Sequence, residues 1–280
     1  MIKTVIALDI GGTNTRVALV DEEFNILAEV IRDTVRGSTE DFLESVASII
    51  EAAVPNREGV LAIAAGVPGR VRVDGHIDAL PNIGIENIPL ASFLSQRFGL
   101  PAFILNDAEV ASLSEANVGP LKDHPSLYFV TISTGVGGAL TREGKLIHSS
   151  YEVGHTMTSY HGSLYEFEHL ASGTGLVRLS GLNGLSIASA KDFFSLVEAK
   201  DPLALRVYAD WISLLGEWFS MVQKAFHPDV FALTGGVMKS ADLFFEDLRL
   251  AAKNCRLEKA GCGQRAGLLG AAVYGFQQFK

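Results

Sequence analysis

Two aspartates stand where apolar, strand-like runs of the sequence end. Asp9 closes the run VIALD and precedes Gly11-Gly12, and Asp107 follows PAFILN and precedes the helix-like AEVASLSEA. A carboxylate beside glycine-rich backbone can hold Mg²⁺, directly or through water, and one that faces a hydroxyl group can remove its proton. The structural alternatives are an Asx turn for Asp9 and a helix N-cap for Asp107. Both alternatives stay open, and a cap and a base are compatible roles.

Three glycine-bearing turns follow apolar runs. They are Gly11-Gly12-Thr13, Thr134-Gly135 within TGVGG, and Gly235-Gly236. Glycine lets backbone N–H groups approach phosphate oxygens closely, and threonine adds a hydroxyl donor. None has the GxxxxGK[ST] spacing, and the GxGG at 135–138 lacks the dinucleotide-binding spacing. Each alone is typical of a tight turn. Together they favour a nucleotide site that is neither of these two kinds.

Polar side chains also gather after the second of these turns. Glu152 and His155 lie in YEVGH, and Glu168 lies in YEFEHL. Several hydrogen-bonding groups near one site suit a ligand rich in hydroxyl groups, because each buried hydroxyl needs a partner. The alternative for each residue is ordinary surface charge. His155 and His169 could suggest a metal, but the segment has no cysteine and no regular ligand spacing, which disfavours zinc.

The elements that must position these residues alternate between strands and helices. Two β-hairpins are predicted at 5–20 and 127–140, and their similar turns about half a chain apart indicate an internal duplication. Apolar residues at helical intervals predict helices at 40–54 and 203–226, and we also predict a helix at 108–116, directly after a strand, and a small-residue helix at 266–276. Strands are predicted at 59–69, 101–105 and 230–234. We assign the aromatic stripe of 203–226 to the core. The pattern predicts an α/β protein.

Composition excludes several classes of function. The net charge of -9 argues against nucleic acid, whose binding depends on Lys and Arg contacts to phosphates. Cys255 and Cys262 are too few for a disulfide framework, which fits a reducing compartment. Asp9 interrupts the N-terminal apolar run, so we predict a buried strand rather than a signal peptide, and no apolar run approaches about 18 residues. We expect a cytoplasmic protein that binds neither nucleic acid nor membrane.

Several motifs, in a fixed order along nearly the whole chain, resemble the ROK family of repressors, open reading frames and sugar kinases. They are DIGGTNTR (9–16), ILNDA (104–108), STGVGG (133–138), EVGH (152–155), EHLASGTGL (168–176), LTGGV (233–237) and AGLLGAA (266–272). The resemblance implies an actin-like ATPase (ribonuclease H-like) fold of two lobes with a central cleft. The small lobe would comprise 1–118 and the C-terminal helix of 266–280, and the large lobe 119–265.

The resemblance also implies ATP with Mg²⁺ in the cleft and a sugar as substrate. Asp107 would be the general base, and Asp9 would hold Mg²⁺, directly or through water. The residues implied to hold sugar hydroxyls are Asn82, Asn106, Glu152, His155 and Glu168. Those implied to line the nucleotide are Gly11, Gly12, Thr13, Thr134 and Gly135 at the phosphates, and Gly235 and Gly236 near the adenosine. A homodimer is expected, since cyclic dimers are the commonest oligomers.

The sequence departs from the family pattern after His155. Sugar kinases of this family usually carry a zinc-binding loop with three cysteines before the next glutamate, whereas only 12 residues, none of them Cys, separate His155 from Glu168 here. We therefore expect no zinc, and other packing must orient Glu168. The repressor branch carries an N-terminal helix-turn-helix, and this chain starts at the first phosphate hairpin, so DNA binding is not expected.

The predicted reaction is ATP-dependent phosphorylation of a hexose, glucokinase-like, at the 6-hydroxyl group. Three alternatives remain: a non-catalytic sugar-binding regulator on the same scaffold, a kinase for an N-acetylhexosamine or fructose, and an actin-like ATPase with a protein client. Intact Asp9 and Asp107 argue against the regulator, and the sugar-side residues argue against the ATPase.

Overall fold

The computed structural model describes residues 2–80, 82–148 and 152–279. It divides the chain into two compact units, one formed by Met1–Lys122 with Gly261–Lys280 and the other by Asp123–Ala260. These boundaries differ by four or five residues from those of the predicted lobes, and the assignment of the units as lobes stays a prediction.

Strands and helices alternate in both units. The strands are β1 (Thr4–Ile10), β2 (Asn14–Asp21), β3 (Ile26–Asp33), β4 (Val60–Val67), β5 (Ile77–Leu80), β6 (Ile85–Ile88), β7 (Ala102–Asn106), β8 (Ser126–Ile132), β9 (Val136–Arg142), β10 (Lys145–Ile147), β11 (Met157–Tyr160), β12 (Ser163–Glu166), β13 (Val230–Thr234) and β14 (Leu257–Lys259). The α-helices are α1 (Thr39–Ala53), α2 (Leu90–Phe98), α3 (Asp107–Asn117), α4 (Glu168–Ala171), α5 (Gly173–Leu182), α6 (Ala190–Glu198), α7 (Pro202–Phe226), α8 (Phe245–Ala251) and α9 (Ala266–Gln277). The four predicted helices are confirmed to within one residue at either end. Across the described ranges, every helix is too short or too polar to span a bilayer.

The two units repeat one sheet topology. The first sheet has the order β3-β2-β1-β4-β7 and the second the order β10-β9-β8-β13-β14. In each sheet the first three strands along the chain are antiparallel, and two later strands add on parallel to the first of them. This repeat confirms the internal duplication. The carboxyl ends of the parallel strands carry the glycine turns and Asp107, at the sheet edge where open α/β folds bind ligands.

Helix α9 packs along β1 through two glycines. A Cβ at Gly275 would lie 2.7 Å from Val5 Cγ1, and a Cβ at Gly267 would lie 2.5 Å from Asp9 Cγ. The eight residues from Gly267 to Gly275 rise about 12 Å along the helix, and the four from Val5 to Asp9 rise about 13 Å along the strand. The spacing of the two glycines therefore matches the spacing of the two strand residues they contact. Alternate side chains of β1 face the other way, into a cluster shared with α1. The packing therefore holds Asp9 beside the first turn of α9.

Helix α7 forms the core of the second unit. Asp201 caps its N-terminus, and His227 ends it in the left-handed conformation, with a φ of 50°. Trp211 and Trp218 are buried, which confirms that the aromatic stripe is core. The indole N–H of Trp218 donates to the carbonyl of Val153 at 3.2 Å. This bond fixes the backbone that leads into His155.

Gly270 offers a test of the close packing of α9 on α3, because a Cβ there would lie 1.6 Å from the carbonyl oxygen of Val110. We expect Gly270→Ala to lower the free energy of unfolding by about 1–3 kcal/mol or more, as overpacking does. Gly181 in α5 is the matched control, since outside its own helix turn no atom in the described part of the chain lies within 4 Å of its Cβ position. Gly181→Ala should leave stability unchanged or raise it by up to about 1 kcal/mol. Urea unfolding measures both, and equal stabilities of the two variants would contradict this account.

Candidate functional site

Asp107 is the first residue of α3, directly after β7. The N-cap is Asn106, whose Oδ1 accepts from the N–H of Ala108 at 2.9 Å, and Glu109 completes a capping box by accepting from the N–H of Asn106 at 3.0 Å. The alternative that Asp107 caps the helix is therefore wrong. Asp107 is exposed, and its Oδ1 accepts from the same N–H of Ala108 at 2.8 Å. The positive end of the helix stabilises a carboxylate at this position.

Asn106 is held at both ends of its amide. Besides the capping bond, its Nδ2 donates to the carbonyl of Gly69 at 2.8 Å. Gly69 has a φ of +125°, and a Cβ there would lie 2.4 Å from the carbonyl oxygen of Ala79, so the position requires glycine. Oδ1 of Asn106 also accepts from the N–H of Glu109 in the capping box, so the amide keeps one N–H for the predicted sugar contact.

The first glycine turn directs its carbonyl groups into the protein. Gly11 O accepts from the hydroxyl of Thr34 at 2.7 Å, Thr13 O accepts from the N–H of Thr34 at 2.8 Å, and Gly12 O accepts from Arg36 at 3.3 Å. A carbonyl oxygen facing a phosphate would repel it. The N–H of Gly11 donates to the carbonyl of Asn14 at 2.8 Å within the hairpin, so an anion at this turn would be met by the N–H groups of Gly12 and Thr13. No motif marked Thr34 or Arg36, which the fold brings here from the end of β3.

The structure brings Asn82 against this turn. Asn82 is exposed in the short connection between β5 and β6, and a Cβ at Gly12 would lie 2.8 Å from Asn82 Cβ. Gly12 is therefore needed for close approach of this side chain as well as for the turn. A predicted sugar-binding residue and a predicted phosphate-binding residue are thus in contact.

Asp9 lies inside β1, paired with Arg16 of β2, so the Asx-turn alternative is wrong. Burial raises the pKa of its carboxyl group, and the charge of Arg16 opposes this shift. The raised pKa indicates that neighbouring groups of the protein do not offset the full cost of burying the negative charge. A hard cation would compensate it, and carboxylate oxygens are the ligands that Mg²⁺ prefers. The donor therefore fits the predicted role.

Glu168 joins the second glycine turn to the EVGH segment. Its Oε2 accepts from the N–H of Val136 at 3.1 Å. A Cβ at Gly135 would lie 2.6 Å from this oxygen, and one at Gly154 would lie 3.0 Å away. The absence of a side chain at Gly135 and Gly154 therefore provides the space that the Glu168 carboxylate occupies. This packing orients Glu168.

The other nucleotide-side predictions of the second unit lie at the ends of β8 and β13. The carbonyl of Thr134 accepts from the hydroxyl of Thr174, as the carbonyls of the first turn accept from Thr34 and Arg36. Gly235 has a φ of +106°, and a Cβ there would lie 2.2 Å from the carbonyl oxygen of Ile132, so only glycine fits. Apart from its chain neighbours, no residue that the structure describes lies within 4 Å of the Cβ position of Gly236. Thr174, within SGTG, was missed because it resembles an ordinary helix-start residue.

His155 has a partner that the sequence analysis missed. Its Nδ1 lies 2.8 Å from Oε2 of Glu166, the last residue of β12. The hydrogen bond to Glu166 raises the pKa of His155, burial opposes the shift, and the charges of Glu168 and Glu152 add to it. Glu152 itself is exposed. Glu166 ends β12 and Glu168 begins α4, so no periodic pattern in the sequence related Glu166 to His155.

Known proteins match this chain over nearly its whole length. The ROK family model matches residues 5–277. A glucokinase of Thermotoga maritima is 28% identical over 88% of this chain and 86% of its own. An N-acetylmannosamine kinase of Salmonella newport is 29% identical over 96% of this chain and 97% of its own.

Solved structures give the same result for the fold. The ROK hexokinase of Thermus thermophilus superposes with a TM-score of 0.86 at 28% identity, covering 99% of both chains. A ROK family glucokinase of Streptomyces griseus, in complex with glucose and AMPPNP, has a TM-score of 0.73 at 27% identity, covering 98% of this chain and 99% of its own. The predicted α/β, actin-like fold is confirmed. With the motifs, the fold and the relatives in agreement, the chain belongs to the ROK family.

Proposed function

We propose that this chain is an ATP-dependent sugar kinase that phosphorylates a hexose, most simply at the 6-hydroxyl group, with Asp107 as general base. The observation that carries the proposal is the start of α3. Asn106 and Glu109 cap this helix, so the exposed carboxylate of Asp107 is not the N-cap. The glucokinase and N-acetylmannosamine kinase relatives support sugar kinase activity. The AMPPNP complex of the Streptomyces griseus enzyme supports ATP as donor.

Asp107 would act on the sugar hydroxyl group. The N–H of Ala108 holds one carboxylate oxygen and so orients the group. The carboxylate accepts the hydroxyl proton as the sugar oxygen attacks the γ-phosphorus, the bond to the β-phosphate oxygen breaks, and ADP leaves. Positioning and electrostatics dominate such transfers, and a general base contributes about 10²- to 10⁴-fold.

The sugar would be held by polar side chains. Asn82 offers an amide that donates and accepts, and Asn106 offers one N–H. Glu152, His155 and Glu168 offer carboxylate oxygens and one ring nitrogen. The bond from the N–H of Val136 to Glu168 supports this role, because an oriented carboxylate binds hydroxyl groups at less entropic cost. The set suits a polyhydroxylated ligand and does not identify the hexose.

The nucleotide would be bound by backbone. The turns at Gly11-Gly12-Thr13 and Thr134-Gly135 would receive the phosphates, and Gly235-Gly236 would lie near the adenosine. Carbonyls of both phosphate turns are satisfied by the protein, which supports anion binding there. Asp9 would hold Mg²⁺, directly or through water. When bound, that ion offsets charge on the transferring phosphoryl group.

The test is ADP release across a panel of aldohexoses, fructose and N-acetylhexosamines. We expect release that requires a sugar, stops with EDTA and returns with Mg²⁺ but does not need zinc. Release without any sugar would point instead to an ATPase with a protein client. Sugar binding without ADP release would point to a regulator. Restoration by zinc alone would contradict the expectation that no zinc is used.

A further inference from the structure

Glu166 lies between two histidines at the end of the β11–β12 hairpin. Its Oε2 is 2.8 Å from Nδ1 of His155 and 3.5 Å from Nε2 of His169. The shorter distance is that of a well-formed, charge-assisted hydrogen bond. The proposed reaction gives Glu166 no task, although it contacts a residue proposed to bind the sugar.

The hairpin that carries Glu166 is anchored at both ends. At its base, the N–H of Phe167 donates to the carbonyl of Thr156 at 2.8 Å. At its tip, the hydroxyl group of Tyr160 donates to Asp210 at 2.6 Å and accepts from Asn183 at 2.7 Å. Strand pairing and these two contacts therefore restrict the backbone on either side of Glu166.

We propose that Glu166 is a positioning residue that sets the orientation and tautomer of His155 for sugar binding. An ionised Glu166 only accepts hydrogen bonds, so the proton of the ring stays on Nδ1. The second nitrogen, Nε2, lies on the far side of the ring and is left to a sugar hydroxyl group. This inference rests on the proposed function of His155.

A hydrogen bond explains the geometry better than a shared metal ion. His155, Glu166 and Glu168 do place ligand atoms within 4.8 Å of one another. However, two ligand atoms on a tetrahedral zinc ion stand about 3.4 Å apart, whereas the His155 and Glu166 atoms are 2.8 Å apart. Glu168 also spends an oxygen on the N–H of Val136. The distance therefore fits a hydrogen bond between Nδ1 of His155 and Oε2 of Glu166.

The experiment measures KM and kcat of His155→Ala, Glu166→Ala and the double variant, with the sugar that the wild-type enzyme prefers. We expect Glu166→Ala to raise the KM for sugar about 10-fold, as loss of a charged hydrogen bond does, with the kcat and the KM for ATP within about two-fold. Glu166→Gln should recover part of the loss, since its amide oxygen still accepts from Nδ1–H. Glu198→Ala, an exposed glutamate at the end of α6, is the matched control.

The double variant separates positioning from an independent role. If Glu166 acts through His155, the double variant should be no worse than His155→Ala alone. Additive effects of the two substitutions, a wild-type KM in Glu166→Ala, or one equivalent of zinc in the purified wild-type protein would each overturn the proposal. A wild-type enzyme that phosphorylates no sugar, or a His155→Ala variant with unchanged KM, would instead overturn the proposed function of this site.

Discussion

Asp107→Asn is expected to lower kcat by about 10²- to 10⁴-fold and to leave the dissociation constant of the sugar nearly unchanged. The amide keeps the size of the side chain and an oxygen that can accept from the N–H of Ala108, so the local geometry should persist. It cannot take up the hydroxyl proton. Steady-state ADP release gives kcat, and equilibrium sugar binding gives the dissociation constant.

Thermal unfolding distinguishes a base from a structural residue at this helix start. Asn106→Ala should lower the free energy of unfolding by about 0.5–2 kcal/mol, because it removes the N-cap. Asp107→Asn should unfold at the wild-type temperature. A near wild-type kcat in Asp107→Asn would exclude the base, and a loss of stability equal to that of Asn106→Ala would restore the capping role that the structure assigns elsewhere.

Asp9→Asn should abolish most activity without destabilising the protein. Loss of a group that offsets charge in phosphoryl transfer reduces kcat on the order of 10²-fold or more. We also expect activity to need much more Mg²⁺, since an amide oxygen carries no net charge. Asp33→Asn, an exposed aspartate at the end of β3, is the control and should behave as the wild type. A normal Mg²⁺ response in Asp9→Asn would exclude the metal role.

The stability of this variant follows from the raised pKa of Asp9, whose cause is burial. Because the folded carboxyl group holds its proton more tightly than the unfolded one, stability falls as the pH rises from the unfolded pKa through the folded pKa. At pH 7 without Mg²⁺, the charge of Asp9 therefore lowers the free energy of unfolding, and an uncharged asparagine would not. We expect Asp9→Asn to unfold at or above the wild-type temperature at pH 7. The difference should shrink as the pH falls through that window, and a lower unfolding temperature at pH 7 would contradict this explanation.

The sequence by itself determined the long elements and the family. Helices α1 and α7 could be predicted because their apolar residues recur at helical spacing, and strand β1 because it is a short apolar run; both patterns report burial. Helix α9 was predicted as a small-residue helix. The two glycine hairpins likewise indicated the duplication that the sheet topologies confirm. Strand β3 and the hairpin of β11 and β12 were not predicted. Their residues are largely exposed, so pairing with distant segments, and not hydrophobic pattern, defines them.

Only the tertiary structure decided the roles of individual polar residues. The sequence alone left Asp107 as either the helix cap or the base. The hydrogen bond from the N–H of Ala108 to the side chain of Asn106 shows that Asn106 caps α3. Contacts such as Gly12 with Asn82, and His155 with Glu166, join segments that no local rule relates. Local patterns arise from burial of apolar surface, whereas a polar site depends on distances of about 3 Å that packing alone sets.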